Sequence, residues 1–191
     1  MSNNLRFKTS KFIDETYRVS FKFNNKTYFG FKGDTLASAL LANGIHLVGR
    51  SFKYHRPRGI MTSGSEEPNA IIQLHDNSSR TEPNVRATEV EIYEGLVASS
   101  QNCWPSVNFD IGGINNLLSP ILPAGFYYKT FMWPKSFWYK VYEPFIRKAA
   151  GLGVASVEKD KERYEHKFEY CDLLVTGSGP AGLASAYAAA K

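Results

Sequence analysis

Tyr17-Arg18-Val19-Ser20-Phe21-Lys22-Phe23 runs into Asn24-Asn25 and then into Lys26-Thr27-Tyr28-Phe29-Gly30-Phe31. In the first run the odd positions are apolar or aromatic, the alternation expected of a half-buried strand. Asn24-Asn25 makes the turn and the second run returns, so the stretch predicts a β-hairpin. Gly33-Asp34-Thr35 then caps a helix from Leu36 to Ala42, which Asn43-Gly44 ends. A short apolar stretch, Ile45 to Val48, leads into the basic segment Arg50-Ser51-Phe52-Lys53-Tyr54-His55-Arg56-Pro57-Arg58-Gly59. Two further strand-like runs follow, Asn69 to Leu74 and Val85 to Tyr93.

Hairpin, helix, loop and strands in that order predict an α+β chain that opens with a β-grasp, ferredoxin-like domain over residues 15–97. Residues 98–168 read as an aromatic-rich extension and linker, broken at Ser119-Pro120, Leu122-Pro123 and Trp133-Pro134. One helix is predicted there, with Ser136 as N-cap, Phe137, Trp138, Val141, Tyr142, Phe145 and Ile146 on one face, and Gly151 and Gly153 at its end. So many aromatics imply either packing on another domain or subunit, or closure over the chain's own core. Glu158 to Lys167 is a charged linker.

The third segment, residues 169–191, holds Cys171-Asp172-Leu173-Leu174-Val175-Thr176-Gly177-Ser178-Gly179-Pro180-Ala181-Gly182, followed by an alanine-rich stretch. An apolar strand, a glycine turn and a helix form the first β-α of a Rossmann dinucleotide-binding domain. Gly177, Ser178, Gly179, Pro180, Ala181 and Gly182 are the candidate phosphate loop, where backbone N–H groups and the helix dipole attract an anion. A complete unit needs a second strand with an acidic residue about 20 residues beyond the glycines. The sequence ends nine residues after Gly182. The expectation is therefore a fragment of a longer flavoprotein-type oxidoreductase that alone binds no nucleotide tightly and is inactive.

Composition narrows the function classes. The 191 residues are 43% hydrophobic and 21% charged, with 14% aromatics and a net charge of +5. That describes a globular chain rather than a disordered one, and the modest charge argues against a nucleic-acid role. Two cysteines, Cys103 and Cys171, make no disulfide framework and point to a reducing compartment. Cys171, at the start of the expected strand, predicts a buried thiol. Met1 to Thr9 lack an apolar signal core and no run of 18 apolar residues exists. The chain reads as cytoplasmic, with no membrane partner.

A ferredoxin-like β-grasp raises the question of a [2Fe–2S] cluster, which in the plant type needs C-x4-C-x2-C and a distant fourth cysteine. No such spacing occurs here. Laid on the loop after Gly59, the three positions fall on Thr62, Glu67 and Ala70. The expectation is a cluster-free domain. Lys53, Tyr54, His55, Arg56 and Arg58 mix cations with aromatics, as single-strand nucleic-acid binders do. A flavin phosphate or an acidic partner face would suit them equally, and a solvated or interface loop outweighs nucleic acid. The histidines at 46, 55, 75 and 166 lack zinc-site spacing. No catalytic residue and no metal ligand is assigned.

Several stretches closely resemble the α subunit of heterotetrameric sarcosine oxidase. They are Gly33 to Gly44, Gly49 to Gly59, Gly64-Ser65-Glu66-Glu67-Pro68-Asn69-Ala70, Pro123 to Pro134 and the terminal glycine turn. The resemblance runs from about Tyr17 to the end. It implies oxidative demethylation of sarcosine to glycine with hydrogen peroxide, the one-carbon unit leaving as formaldehyde or passing to tetrahydrofolate. It also implies a heterotetramer with β, γ and δ subunits, NAD in the α subunit, FAD and FMN in the assembled complex, a small-molecule amine substrate and no iron–sulfur cluster. Amine-oxidising residues would belong to another subunit. Two other readings stay open: a subunit of a related opine or secondary-amine oxidase, and a free-standing β-grasp interaction module.

Overall fold

A computed structural model describes residues 5–6, 11–75, 81–121, 125, 131, 133–149, 153, 155–159 and 163–191. Strands β1 (Asp14–Phe23) and β2 (Lys26–Lys32) form the expected antiparallel hairpin, with Phe23 opposite Lys26. Asn24 and Asn25 both have positive φ, 50° and 63°, the backbone that a two-residue hairpin turn requires. Helix α1 (Leu36–Ala42) follows. Its N-cap is Thr35, whose side chain accepts from the Ser38 amide, and the Asn43 amide closes its C-terminal end.

Five strands make one mixed sheet in the order β2-β1-β7-β5-β6, with β5 at Ile71–His75, β6 at Thr81–Arg86 and β7 at Leu96–Ser100. β7 lies parallel to β1, with Phe21 opposite Leu96 and Phe23 opposite Ala98, and antiparallel to β5. Asn24 extends that junction beyond the ladder. Its amide donates to the Ala98 carbonyl at 3.1 Å, and its side chain exchanges two hydrogen bonds with Ser100. A separate pair, β3 (Gly49–Arg50) and β4 (Pro57–Arg58), carries the basic segment.

The alternation in β1 delivers Val19, Phe21 and Phe23 to the core. They meet Leu36, Ala37, Ala39 and Leu40 of α1 together with Ile72 and Leu96. Burying a leucine or phenylalanine side chain contributes about 1.5–3 kcal/mol, so this one face dominates the unit's stability.

One expected strand shifts and one strand was not expected. The run expected from Val85 to Tyr93 is β6 ending at Arg86, then a turn, with Glu91 making only an isolated bridge to Thr35. β7, the centre of the sheet, falls at the edge of the segment expected to be irregular. The expected helix at Ser136 is a 3-10 turn (Lys135–Phe137), a π turn (Trp138–Tyr142) and helix α2 (Glu143–Ala149). Its first turn is capped by Pro134 without a side-chain bond, so Ser136 is not the cap. Pro123, Ala124, Met132, Gly151 and residues 126–130 lie outside the described residues.

One turn depends on glycine. Gly33 has φ +92°, and a Cβ there would stand 2.2 Å from the Phe12 carbonyl oxygen. Gly33→Ala is expected to destabilise the unit by at least about 1–2 kcal/mol, the left-handed penalty alone. Urea unfolding with no shift in midpoint would contradict this.

The chain divides into two units, Met1–Glu158 and Lys159–Lys191. In the second, helix α3 (Pro180–Ala189) starts from Gly179 with Pro180 in its first turn. Among its described residues no strand forms, although Leu173 to Val175 was the expected one. A lone strand has nothing to satisfy its backbone N–H and C=O groups, so the run stays unladdered. Cys171 is exposed rather than buried, for the same reason.

Candidate functional site

The basic segment is held by contacts its sequence does not reveal. Inside the β3–β4 turn, the Ser51 amide donates to the Arg56 carbonyl and the Ser51 hydroxyl accepts from the Arg56 amide. His55 sits at φ 51°. Its Nδ1 lies 2.6 Å from Oδ2 of Asp110, with side-chain exposures of 13% and 1%. Asp110 Oδ1 accepts the amides of Trp104 and Gly112, and Gly112 offers the bare backbone against which the imidazole packs. Arg50 donates to the carbonyls of Val107, His55 and Asn108. A histidine held this way tethers the loop to Asp110.

What the loop presents outward is cationic and aromatic. Tyr54 lies between Lys53, 4.9 Å from its ring centre, and Arg56, 4.8 Å away. Beside it is a cavity of about 300 Å³ bordered by Arg50, Phe52, Tyr54, Arg58, Asn69 and Gln101. Thus the structure gathers β3, β4 and their connecting loop with residues just before β5 and just after β7, and His55 is the member turned inward. Asp110 and Gln101 were missed at the sequence level. Asp110 is 55 positions from its partner, and no local spacing signals it.

Thr62, Glu67 and Ala70, the three positions laid on a cluster loop, do converge, with Glu67 at the centre. Oε2 accepts the amides of Met61 at 2.7 Å and Thr62 at 2.6 Å, while Oε1 accepts those of Asn69 at 2.7 Å and Ala70 at 3.1 Å. The residue is 1% exposed. Burial by itself would raise its pKa, yet the backbone donors of Thr62, Asn69, Met61 and Ala70 outweigh it and hold the carboxyl below the usual glutamate range.

In the second unit the turn at Gly177-Ser178-Gly179-Pro180-Ala181-Gly182 is tight. Gly177 has φ +98°, and a Cβ on Gly182 would lie 2.1 Å from the Gly177 carbonyl oxygen. The Leu183 amide donates to the Gly179 carbonyl, so the turn ends directly on the first turn of α3.

Comparison with known proteins adds the following. The chain is 60% identical over 179 residues to sarcosine oxidase subunit alpha of Rhizobium meliloti (strain 1021), covering 94% of this chain. The chain is a homologue of sarcosine oxidase alpha subunits. It spans 18% of the length of that relative. The same subunit from Corynebacterium sp. strain U-96 is 33% identical over 84% of this chain and 12% of its own length. That from strain P-1 is 30% identical over 94% of this chain and 14% of its own. Residues 16–103 match the family described as a 2Fe-2S iron-sulfur cluster binding domain, in keeping with the β-grasp and its mixed sheet. An L-proline dehydrogenase from P. horikoshii aligns with 51% of this chain and 17% of its own, at 24% identity and a TM-score of 0.37, too slight a likeness for anything to rest on it.

The family match corrects the cofactor expectation. NAD, FAD, FMN and tetrahydrofolate were expected, with no iron–sulfur cluster. Instead, the domain family covering residues 16–103 of this sarcosine oxidase homologue points to an iron–sulfur centre. Cysteine spacing reads donors alone, whereas a family match reads the whole frame of the fold. A [2Fe–2S] centre is held by four cysteine thiolates, and residues 16–103 contain one cysteine, Cys103. Its pKa is pushed up first by burial and then by the Asp110 carboxylate, with Arg50 pulling the other way. A thiol kept protonated is a poor metal ligand. Among the described residues no three His, Cys, Asp or Glu side chains cluster to hold a metal ion. The residues present do not fit the centre. Nor is any helix of the described residues long and apolar enough to cross a membrane.

Proposed function

We propose that the chain is the N-terminal part of a sarcosine oxidase α subunit, an oxidoreductase that works only in a multi-subunit complex. The observation that carries this is the 60% identity over 94% of the chain. In the proposed reaction sarcosine, oxygen and water give glycine, formaldehyde and hydrogen peroxide. The N-methyl carbon loses two electrons, oxygen takes them up with two protons, and water hydrolyses the resulting imine. This chain's residues serve assembly and positioning, and the amine-oxidising groups lie elsewhere.

Exposed side chains support the assembly role. Trp104, Phe109, Leu117, Trp133, Tyr139 and Phe145 are each at least 68% exposed, an apolar display typical of surfaces covered by a partner. In the second unit, the Gly177–Gly182 turn is proposed to hold a phosphate-bearing ligand at the N-terminus of α3, where unpaired backbone N–H groups favour negative charge. The unpaired cysteines favour a reducing, cytoplasmic setting.

The test is co-expression of the full-length subunit with the β, γ and δ subunits. Co-purification and sarcosine-dependent peroxide formation are the expected outcome. A complex that oxidises an opine or another secondary amine but not sarcosine would move the assignment to a related oxidase. Failure to associate with any subunit would sink the proposal.

A further inference from the structure

We infer that the loop from Ile60 to Ala70 is an anion cradle whose built-in occupant is the Glu67 carboxylate. Four backbone amides, from Met61, Thr62, Asn69 and Ala70, converge on its two oxygens, and the Thr62 hydroxyl adds a fifth donor at 3.3 Å. Several loop N–H groups converging on one acceptor form a backbone nest, the arrangement that binds small anions. These amides belong to four residues on both sides of Glu67, so one carboxylate sets the path of the whole segment.

Neighbouring groups fix where the carboxylate sits. Arg86 of β6 donates through Nε to the Glu67 carbonyl at 3.2 Å, and the Glu67 amide donates to the Gly64 carbonyl. The Thr88 hydroxyl holds that same Gly64 carbonyl at 2.7 Å. The charged groups around the loop are Glu66 beside Gly64, Arg86, and Glu89, whose carboxylate is 3.5 Å from Arg86. Arg86 is thus shared with Glu89 and with a backbone carbonyl. Among the described residues the partners of the Glu67 carboxylate are amide dipoles and the Thr62 hydroxyl rather than a cation, which is what makes the cradle selective for an acceptor with two oxygens.

Glutamine is isosteric but cannot serve. Each carboxylate oxygen accepts two amides, so whichever way the Gln amide turns, its NH2 group faces two N–H donors. Glu67→Gln therefore leaves buried donors unsatisfied. Glu67→Ala empties the cradle and leaves a space shaped for formate.

The experiment uses the full-length subunit in its complex and follows hydrogen exchange of the peptide spanning residues 60–70. Protection is scaled to the intrinsic rate, and the β1 peptide serves as control. Glu67→Gln is expected to speed exchange of the 60–70 peptide by about ten- to hundredfold, the equivalent of orphaning buried donors. Glu67→Ala is expected to do the same, and formate is expected to restore protection where an equal concentration of sodium perchlorate does not. The unmutated complex provides a reading that needs no variant. Because the folded pKa is lowered, protection from this carboxylate is complete above the ordinary glutamate value and is lost as pH falls through the lower folded value. Unchanged exchange in Glu67→Gln, no effect of formate on a folded Glu67→Ala, or protection lost already at the ordinary glutamate pKa would each overturn the inference. So would iron and sulfide found bound to these amides in the purified complex.

Discussion

Arg6→Ala is expected to lower the stability of the β-grasp unit by about 3–5 kcal/mol, the cost of leaving a buried charge without its partner. Arg6 donates from Nη1 to Oδ1 of Asp34 at 2.7 Å and from Nη2 to Oδ2 at 2.6 Å. The Asp34 side chain is fully buried and that of Arg6 is 10% exposed. Asp34 also accepts the Phe31 amide and the Ser38 hydroxyl, so the β2 end, the start of α1 and the N-terminal segment meet on one carboxylate. The Arg6 guanidinium lies over the Phe31 ring at 5.2 Å, and alanine loses that contact too. Adding Asp34→Asn to Arg6→Ala removes the uncompensated charge and is expected to recover part of the loss. Urea unfolding of the four variants as a double-mutant cycle checks this. Additive single effects would show that the two side chains do not act as a pair.

Phe21→Ala is expected to cost about 3–5 kcal/mol, the range for a buried aromatic cut back to a methyl. Phe21 is 1% exposed and packs 6.0 Å from the Tyr28 ring. Tyr17, also an odd position of β1, is the control. It is 56% exposed and lies where the β1–β2 register breaks between Asp14 and Arg18. Tyr17→Ala is expected to change stability by only about 0.5 kcal/mol. Equal effects at the two positions would mean that the alternation does not set which face is the core.

The contrast between Tyr17 and Phe21 shows how far pattern carries. Alternation, the asparagine turn and the Thr35 cap act over a few residues, so hairpin and helix were legible directly. β7 was not. Leu96-Val97-Ala98-Ser99-Ser100 is short and ends in two serines, and it becomes the central strand only because β1 and β5 close on either side of it. The apolar run Leu173-Leu174-Val175 has the converse history. Its composition predicts a strand, yet Leu173 and Leu174 are 61% and 73% exposed, since strand character without a neighbouring ladder does not make a strand.

The candidate site divides in the same way. The basic segment and the glycine turn could be read in place because their chemistry lies in consecutive residues. The positions Thr62, Glu67 and Ala70 were found by laying a cluster loop on the sequence, but the role of Glu67 was not, because its partners are backbone amides and carry no residue signature. The Arg6–Asp34 pair spans 28 positions and the His55–Asp110 pair spans 55. Local composition and periodicity therefore determined the hairpin, the capped helix and the existence of a basic loop, while the resemblance to sarcosine oxidase α subunits rested on whole stretches of sequence. Tertiary structure alone decided which strand is central, which carboxylate each cation meets and which way His55 and Glu67 point. These choices depend on burial, and burial brings together side chains and amides whose separation along the chain carries no signal.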